Sequence, residues 1–263
     1  MADVGWVLTA TVLSHPGAVR PSNEDAVGIG EWLSPDRMDE PVVIMLPIDA
    51  PRMALVADGM GGHAEGSRAS RAAVEFLLQG AADVADTERL AHHLRQANVA
   101  IYDTMKLDPA WAGMGATLAG VLIAPPRCLV FNVGDSRVYV ERGGFLRQLS
   151  QDDTWPPANG AFDPLEDGAG AVVTQAIGGQ PAFVDIEPHV VELPLAHGQR
   201  FLICSDGLTN ELTVDDLEAG MAGADDGVTV HAWFHAAMRA GARDNLSVVL
   251  ARITSAAAAP ESR

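Results

Sequence analysis

One stretch, Met53–Gly66, sharply limits the folds open to this 263-residue chain. Met53 to Ala57 is an uninterrupted apolar run, which predicts a buried strand. The run ends at Asp58, and Gly59, Gly61 and Gly62 follow before a helical pattern begins near Ser67. A carboxylate at the exit of a hydrophobic strand is costly unless something pairs with it. The glycines leave the backbone bare, so a small ligand can approach main-chain carbonyls closely. By itself the stretch also fits an ordinary strand–turn–helix junction with Asp58 as a helix cap.

The same arrangement recurs along the chain. Asp135 follows the run Phe131-Asn132-Val133-Gly134, Asp206 follows Phe201-Leu202-Ile203-Cys204-Ser205, and Asp244 stands just before the last apolar run. Strand ends of one sandwich converge at one edge, which would bring Asp58, Asp135, Asp206 and Asp244 into one cleft. Four adjacent carboxylates cannot all stay ionised without cations. Hard divalent ions, Mn²⁺ or Mg²⁺, suit such an all-oxygen site. The net charge of −18 agrees with cation binding or solubility, and it argues against general binding to nucleic acid or anionic membranes.

In chain order, Trp6 to Leu13 reads as a strand, and the turn-rich segment Ser14 to Asp25 carries Arg20, Glu24 and Asp25. Gly30 to Pro51 holds four prolines and scattered charge, an irregular excursion or hairpin. Ser67 to Leu78 is helical, and Thr87 is the expected N-cap of a second helix whose buried stripe is Leu90, Leu94, Ala97, Ile101 and Met105. Strands follow at Thr117 to Ala124, Cys128 to Val133, Arg137 to Glu141 and Phe145 to Leu149, the last two joined at Gly143-Gly144. Gln151 to Ala171 is loop-like, and Phe183 to Leu193 and Arg200 to Cys204 resume the strand pattern. Thr213 and Asp216 form a capping box, Val228 to Ala240 is a helix, and Leu246 to Ile253 a final strand. Strands in consecutive runs with helices in pairs predict an α+β antiparallel sandwich with helices on the outer faces.

Residues 1–255 read as a single domain and 256–263 as a flexible tail. No apolar run reaches the length of a membrane span, and Met1 to Leu13 lacks the features of a signal peptide. Cys128 and Cys204 lie in apolar runs outside any CxxC pair, as buried reduced thiols of a cytoplasmic protein do.

Seven stretches, in order, resemble the metal-dependent protein phosphatases of the 2C type, in their bacterial form. They are Arg20 to Asp25, Asp58 to His63, Gly113 to Thr117, Gly134 to Arg137, Thr174 to Gly178, Ser205 to Leu208, and Asp244-Asn245, and together they cover nearly the whole chain. The resemblance implies a four-layer α-β-β-α sandwich of two central antiparallel sheets flanked by helices. It implies two core Mn²⁺ or Mg²⁺ ions, with Asp58 bridging them, the Gly59 carbonyl on one, and Asp206 and Asp244 on the other. Glu24 and Asp25 would hold metal-bound waters. Arg20 would bind the phosphate oxygens of a phosphoserine or phosphothreonine, for which its planar fork is suited. An ion pair between Arg20 and Glu24 is the bland alternative. A weaker third ion would sit between Asp135 and Asp206.

The implied function is a cytoplasmic serine/threonine phosphatase, monomeric, acting on phosphorylated proteins of a bacterial kinase. A phosphopeptide-binding protein without catalysis, or a small-molecule phosphohydrolase, stands as the alternative. Departures from the family pattern are Met60, where many eukaryotic relatives carry histidine and many bacterial ones methionine, and Asp152-Asp153-Thr154 in place of Asp-His-Ser. The segment Asp152 to Thr174 is shorter than the usual flap, Asp25 to Asp58 is longer than in compact relatives, and Asn210 replaces a carboxylate facing the third metal position.

Overall fold

Alternation of side chains along the strands stacks this chain in layers. The computed structural model describes residues 5–61, 63–155, 172–223 and 225–255. The first strands are β1 (Trp6–His15), β2 (Ala26–Ile29), β3 (Trp32–Leu33), β4 (Val42–Pro47) and β5 (Arg52–Met60). Helices α1 (His63–Gly80) and α2 (Thr87–Met105) follow, then β6 (Gly115–Ala124), β7 (Arg127–Val133), β8 (Arg137–Arg142) and β9 (Phe145–Gln148). Next come the short strands β10 (Thr154–Trp155), β11 (Val172–Val173) and β12 (Ile177–Gly178), and then β13 (His189–Pro194) and β14 (Arg200–Cys204). The chain continues through α3 (Asp206–Thr209), α4 (Val214–Met221), α5 (Asp226–Ala240) and β15 (Leu246–Ser255).

One sheet has the order β4-β1-β15-β14-β8-β9, and the other β13-β7-β6-β5-β2-β3 with β12 added beside β6. The pairings in both are antiparallel. On β5, Met53, Leu55 and Ala57 pack with Ala73 and Leu77 of α1 and Leu94 of α2. Ala54 and Val56, of opposite parity, pack with Val12, Ile203 and Val249 of the other sheet. That sheet turns Leu202, Val248 and Leu250 toward Leu217, Val230 and Trp233 of α4 and α5. Three apolar cores therefore separate four layers, the α-β-β-α sandwich expected.

Several boundaries differ from the sequence reading. Strand β5 continues past Asp58, whose Cα partner is Thr117, to Met60 opposite Gly115, so ladder pairing outlasts the apolar run. Helix α1 starts at His63, four residues before the expected Ser67. Asp86, not Thr87, caps α2, because its extended backbone lets the carboxylate accept from the Arg89 N–H at 2.8 Å. The strand expected over 183–193 is confined to His189–Pro194. The preceding segment is held by α2 instead: Asn98 Nδ2 donates to the Val184 carbonyl at 2.9 Å and Arg95 Nε to the Ile186 carbonyl at 3.3 Å.

The 30–51 excursion crosses between sheets, giving β3 to one and β4 to the edge of the other. Within the 151–171 loop, Thr154–Trp155 pairs with Val172–Val173 just beyond it, while 156–171 lie outside the described residues, as does the 256–263 tail. Both cysteines are buried and free. Among the described residues no helix is long and apolar enough to cross a membrane.

Candidate metal centre

The layer between the sheets changes character at one end, and the strand period explains how. Positions facing the other sheet run Ala54, Val56 and then Asp58 on β5, and Ile29 and Val27 on β2 with Asp25 just before it. They run Val121, Ala119 and Thr117 on β6, Phe201 and Ile203 on β14 with Ser205 just after it, and Ala251, Val249 and Ser247 on β15. Each strand thus carries its inward parity past the apolar core and sets a polar side chain there. Ser205 Oγ donates to Asp25 Oδ2 at 2.8 Å, and Thr117 and Ser136 hydroxyls meet at 2.7 Å beside Asp135.

Loops complete the rim. Asn245 holds the 16–24 loop against the start of β15. Its Nδ2 donates to the Pro16 and Ser22 carbonyls at 3.0 and 2.8 Å, and its Oδ1 accepts from the Glu24 N–H at 2.8 Å. Ser70 Oγ of α1 donates to the Glu24 carbonyl at 2.6 Å. Gly17, at φ +79°, lies against the Asp244 and Ala242 carbonyls, and Gly59 against the Gly66 and Glu24 carbonyls, so a Cβ at either position would strike backbone. The bareness expected of Gly59 is thus used for packing on one side while the residue lines the cleft on the other.

A cleft of about 320 Å³ results, lined by Arg20, Glu24, Asp58, Asp135, Asp206 and Asp244 together with Gly59. Asp25 lies beneath this lining, 3% exposed. All the residues singled out in the sequence are therefore brought together, with Asp25 one layer deeper than its neighbours. Arg20 Nη2 donates to Asp244 Oδ2 at 2.7 Å, a half-exposed contact that raises the guanidinium pKa.

Among the described residues Arg20 is the only arginine or lysine lining the cleft, and it meets Asp244 alone by hydrogen bond. Burial, followed by the charges of Asp25, Asp206, Asp244 and Asp135, holds the Asp58 carboxyl well above the ordinary range. Burial and Asp206 push Asp135 to about 7. Burial lifts Asp25 to about 7 against the lowering effect of hydrogen bonds from Ser247 and Ser205. Asp206 is raised by burial and by Asp244, while hydrogen bonds with Asp58 and Asn210 oppose the rise. The buried Oδ1 atoms of Asp25 and Asp206 have no hydrogen-bond partner. Carboxyls that share protons and leave lone pairs unmet form a donor set fitted to hard divalent cations. Among the described residues no three His, Cys, Asp or Glu side chains are gathered closely enough to hold a metal ion as they stand. That accords with an open site completed by a carbonyl and waters, since like-charged groups do not gather tightly without the ion.

Two departures noted in the sequence have structural answers. Asn210 turns its amide nitrogen, not its carbonyl, toward Asp206, donating to Oδ2 at 3.0 Å. Asp153 accepts from the Gly134 N–H at 2.8 Å and Gln175 Nε2 at 2.9 Å, and meets His189 Nε2 at 2.8 Å. An imidazole from β13 thus stands beside the motif that lost its own histidine. Asp152 pairs with Arg137 at 2.6 Å. Sequence reasoning assigned no role to Asn245, Ser70 or Ser205; Asn245 and Ser205 had a signal in standing next to Asp244 and Asp206, Ser70 none.

A family model described as protein phosphatase 2C matches residues 48–251. This chain belongs to the protein phosphatase 2C family. The serine/threonine protein phosphatase PstP of Mycobacterium tuberculosis is 30% identical over 262 residues, 96% of this chain and 46% of that protein. The chain thus spans about half the length of PstP. The serine/threonine phosphatase Stp of Listeria monocytogenes is 30% identical over 217 residues, 77% of this chain and 78% of the relative. The crystal structure of the PstP catalytic domain in complex with two manganese ions aligns at a TM-score of 0.75 and 29% identity, covering 95% of this chain and 99% of that one. The PstP catalytic domain thus shares the two-sheet architecture of this chain.

Proposed function

We propose that this chain is a metal-dependent protein serine/threonine phosphatase. The observation that carries the reading is the convergence of Asp58, Asp135, Asp206 and Asp244, with unmet carboxyl oxygens and Arg20 at the rim, in one cleft. The names of PstP and Stp, and the two manganese ions bound by the PstP catalytic domain, support it. Residues 1–255 serve as one catalytic domain.

Asp58, the Gly59 carbonyl, Asp206 and Asp244 would hold two Mn²⁺ or Mg²⁺ ions, and Asp135 with Asp206 a weaker third. When bound, such ions make water a nucleophile at neutral pH and stabilise charge on a phosphoryl group. The chain's own residues do the rest. Glu24, fixed through its backbone by Asn245 and Ser70, and Asp25, fixed by Ser205, orient the attacking water. Arg20 leaves Asp244 to take two phosphate oxygens, positioning the phosphoryl group for in-line displacement. Met60 lines the cleft where many eukaryotic relatives carry histidine, so the leaving alkoxide takes its proton from solvent in the cleft. The substrates are phosphorylated proteins of a bacterial Ser/Thr kinase, and the enzyme works as a cytoplasmic monomer.

Hydrolysis of a phosphothreonine peptide by metal-stripped protein, with and without added Mn²⁺, tests the proposal. Turnover that requires Mn²⁺ and disappears in Asp206→Asn is expected. Binding of the peptide with no turnover would make the chain a phosphopeptide-binding protein, and preference for a sugar phosphate would make it a small-molecule phosphohydrolase.

A further inference from the structure

We propose that His231 and His235 of α5, with Glu40 from the 30–51 excursion, form a second metal site that takes a borderline transition ion such as Zn²⁺ or Ni²⁺. The two histidines stand four residues apart, so one helical turn brings their rings to the same face. Their Nε2 atoms lie 3.0 Å apart, with ring centroids separated by 4.2 Å. Glu40 Oε2 is 3.4 Å from His231 Nε2. Tetrahedral ligands at about 2.0–2.1 Å from zinc stand about 3.3 Å from one another, close to both separations.

In the hydrogen bond between the two Nε2 atoms one ring donates and the other accepts; binding requires that proton to move to Nδ1 and the rings to turn apart slightly, which frees both Nε2 lone pairs for one ion. Glu40 is 77% exposed and free to swing, so the site is a two-imidazole chelate with an adjustable carboxylate rather than a preformed three-ligand cage.

The neighbourhood fixes the backbone that carries Glu40. Met38 is buried in the core that includes Phe234, and its N–H donates to the Ser14 carbonyl at 2.8 Å. The His15 ring meets Phe234 edge-on at 5.1 Å. Asp39, next to Glu40, is already taken by Arg37 at 2.9 Å. The excursion is therefore anchored beside α5, and an ion would clip Glu40 to the helix. None of the three residues lines the catalytic cleft. Ligand chemistry keeps the sites apart: imidazole favours zinc, nickel and copper, whereas the all-carboxylate cleft favours manganese and magnesium.

Tag-free, Mn²⁺-saturated protein titrated calorimetrically with Zn²⁺ tests this, alongside retention on a nickel-chelate resin. The wild type should bind one more Zn²⁺ than the His231→Ala/His235→Ala double variant and be retained longer. Since loss of an outer-shell partner already costs a metal site about 10- to 100-fold, each single His→Ala change should weaken binding at least about tenfold. Glu40→Gln should give a smaller loss, and His92→Ala, an exposed histidine elsewhere, none. Equal Zn²⁺ stoichiometry and affinity in wild type and double variant would overturn the site and leave the pair a hydrogen bond only.

Discussion

Asp226, in the first turn of α5, is met by two arginines, whereas Asp58, at the floor of the cleft, is met by further aspartates. Arg200 Nη2 reaches Asp226 Oδ1 at 2.6 Å, and Arg252 reaches the same carboxylate through Nη2 at 2.7 Å and Nε at 2.9 Å. The Asp226 charge is settled inside the protein. Around Asp58, the charges of Asp25, Asp206, Asp244 and Asp135 all raise its pKa, and the only arginine among the described residues lining the cleft is Arg20 at the rim. An acid with its own cations is a structural tie. A cluster of acids without them demands a cation from solution.

Substitution at the two aspartates separates these roles most strongly. Asp58→Asn should lower phosphopeptide turnover by orders of magnitude, beyond the roughly 100-fold that even an outer-shell change can cost a metal site. It should leave the melting temperature of the metal-free protein unchanged or higher, because it removes repulsion. Asp226→Asn should do the reverse: unfolding free energy falls by about 3 kcal/mol, the low end for breaking a buried pair because Arg252 is 30% exposed. Its kcat in the cold should stay at the wild-type level. If Asp226→Asn instead abolished turnover while folding normally, the division between tie and site would fail.

Arg20 tests whether the cleft's one arginine belongs with Arg200 or with the substrate. A charged hydrogen bond contributes about 1.5–3 kcal/mol, so Arg20→Ala should raise KM for a phosphopeptide at least about tenfold. Mn²⁺ affinity should hold. A collapse of Mn²⁺ affinity with KM intact would make Arg20 a structural partner of Asp244.

Acidity gives a gentler test. Asp25 and Asp135 titrate near 7 when folded, above the unfolded value of 3.8. Between those pH values the folded chain holds protons that the unfolded chain has released. Stability of the metal-free protein therefore falls as pH rises from about 4 through about 7. Thermal scans should show added Mn²⁺ raising the melting temperature by several degrees at pH 8 and little at pH 5. The reverse order would contradict the raised pKa values. The smallest effect is expected at Asn210, where Asn210→Asp adds a carboxylate beside Asp206 and should shift the upper phase of Mn²⁺ activation to lower concentration.

Most of the fold was legible because strand and helix periods are local. Met53, Leu55 and Ala57 alternate with Ala54 and Val56, and the Leu90–Met105 stripe keeps its spacing. The site was legible where an aspartate ends an apolar run. It was not legible where position depends on partners distant in sequence. Asn245 gains its role from Pro16, Ser22 and Glu24, more than 220 residues away. Arg20 meets Asp244, 224 residues on, for the same reason, and 183–188 looked like a strand although its partner is the side of a helix. The early start of α1 was hidden by Gly66, a poor helix former that is required where the helix passes Glu24 and Gly59.

Calorimetric titration of metal-stripped protein with Mn²⁺ at pH 7, in two buffers of different ionisation enthalpy, tests the central claim most directly. Two Mn²⁺ per chain should bind with release of protons, because carboxyls held protonated by their neighbours must ionise to become ligands. Asp58→Asn should lose this tight phase, and Asp226→Asn should keep it. Mn²⁺ binding that releases no protons and is the same in Asp58→Asn would show that the buried carboxylates are not the metal centre.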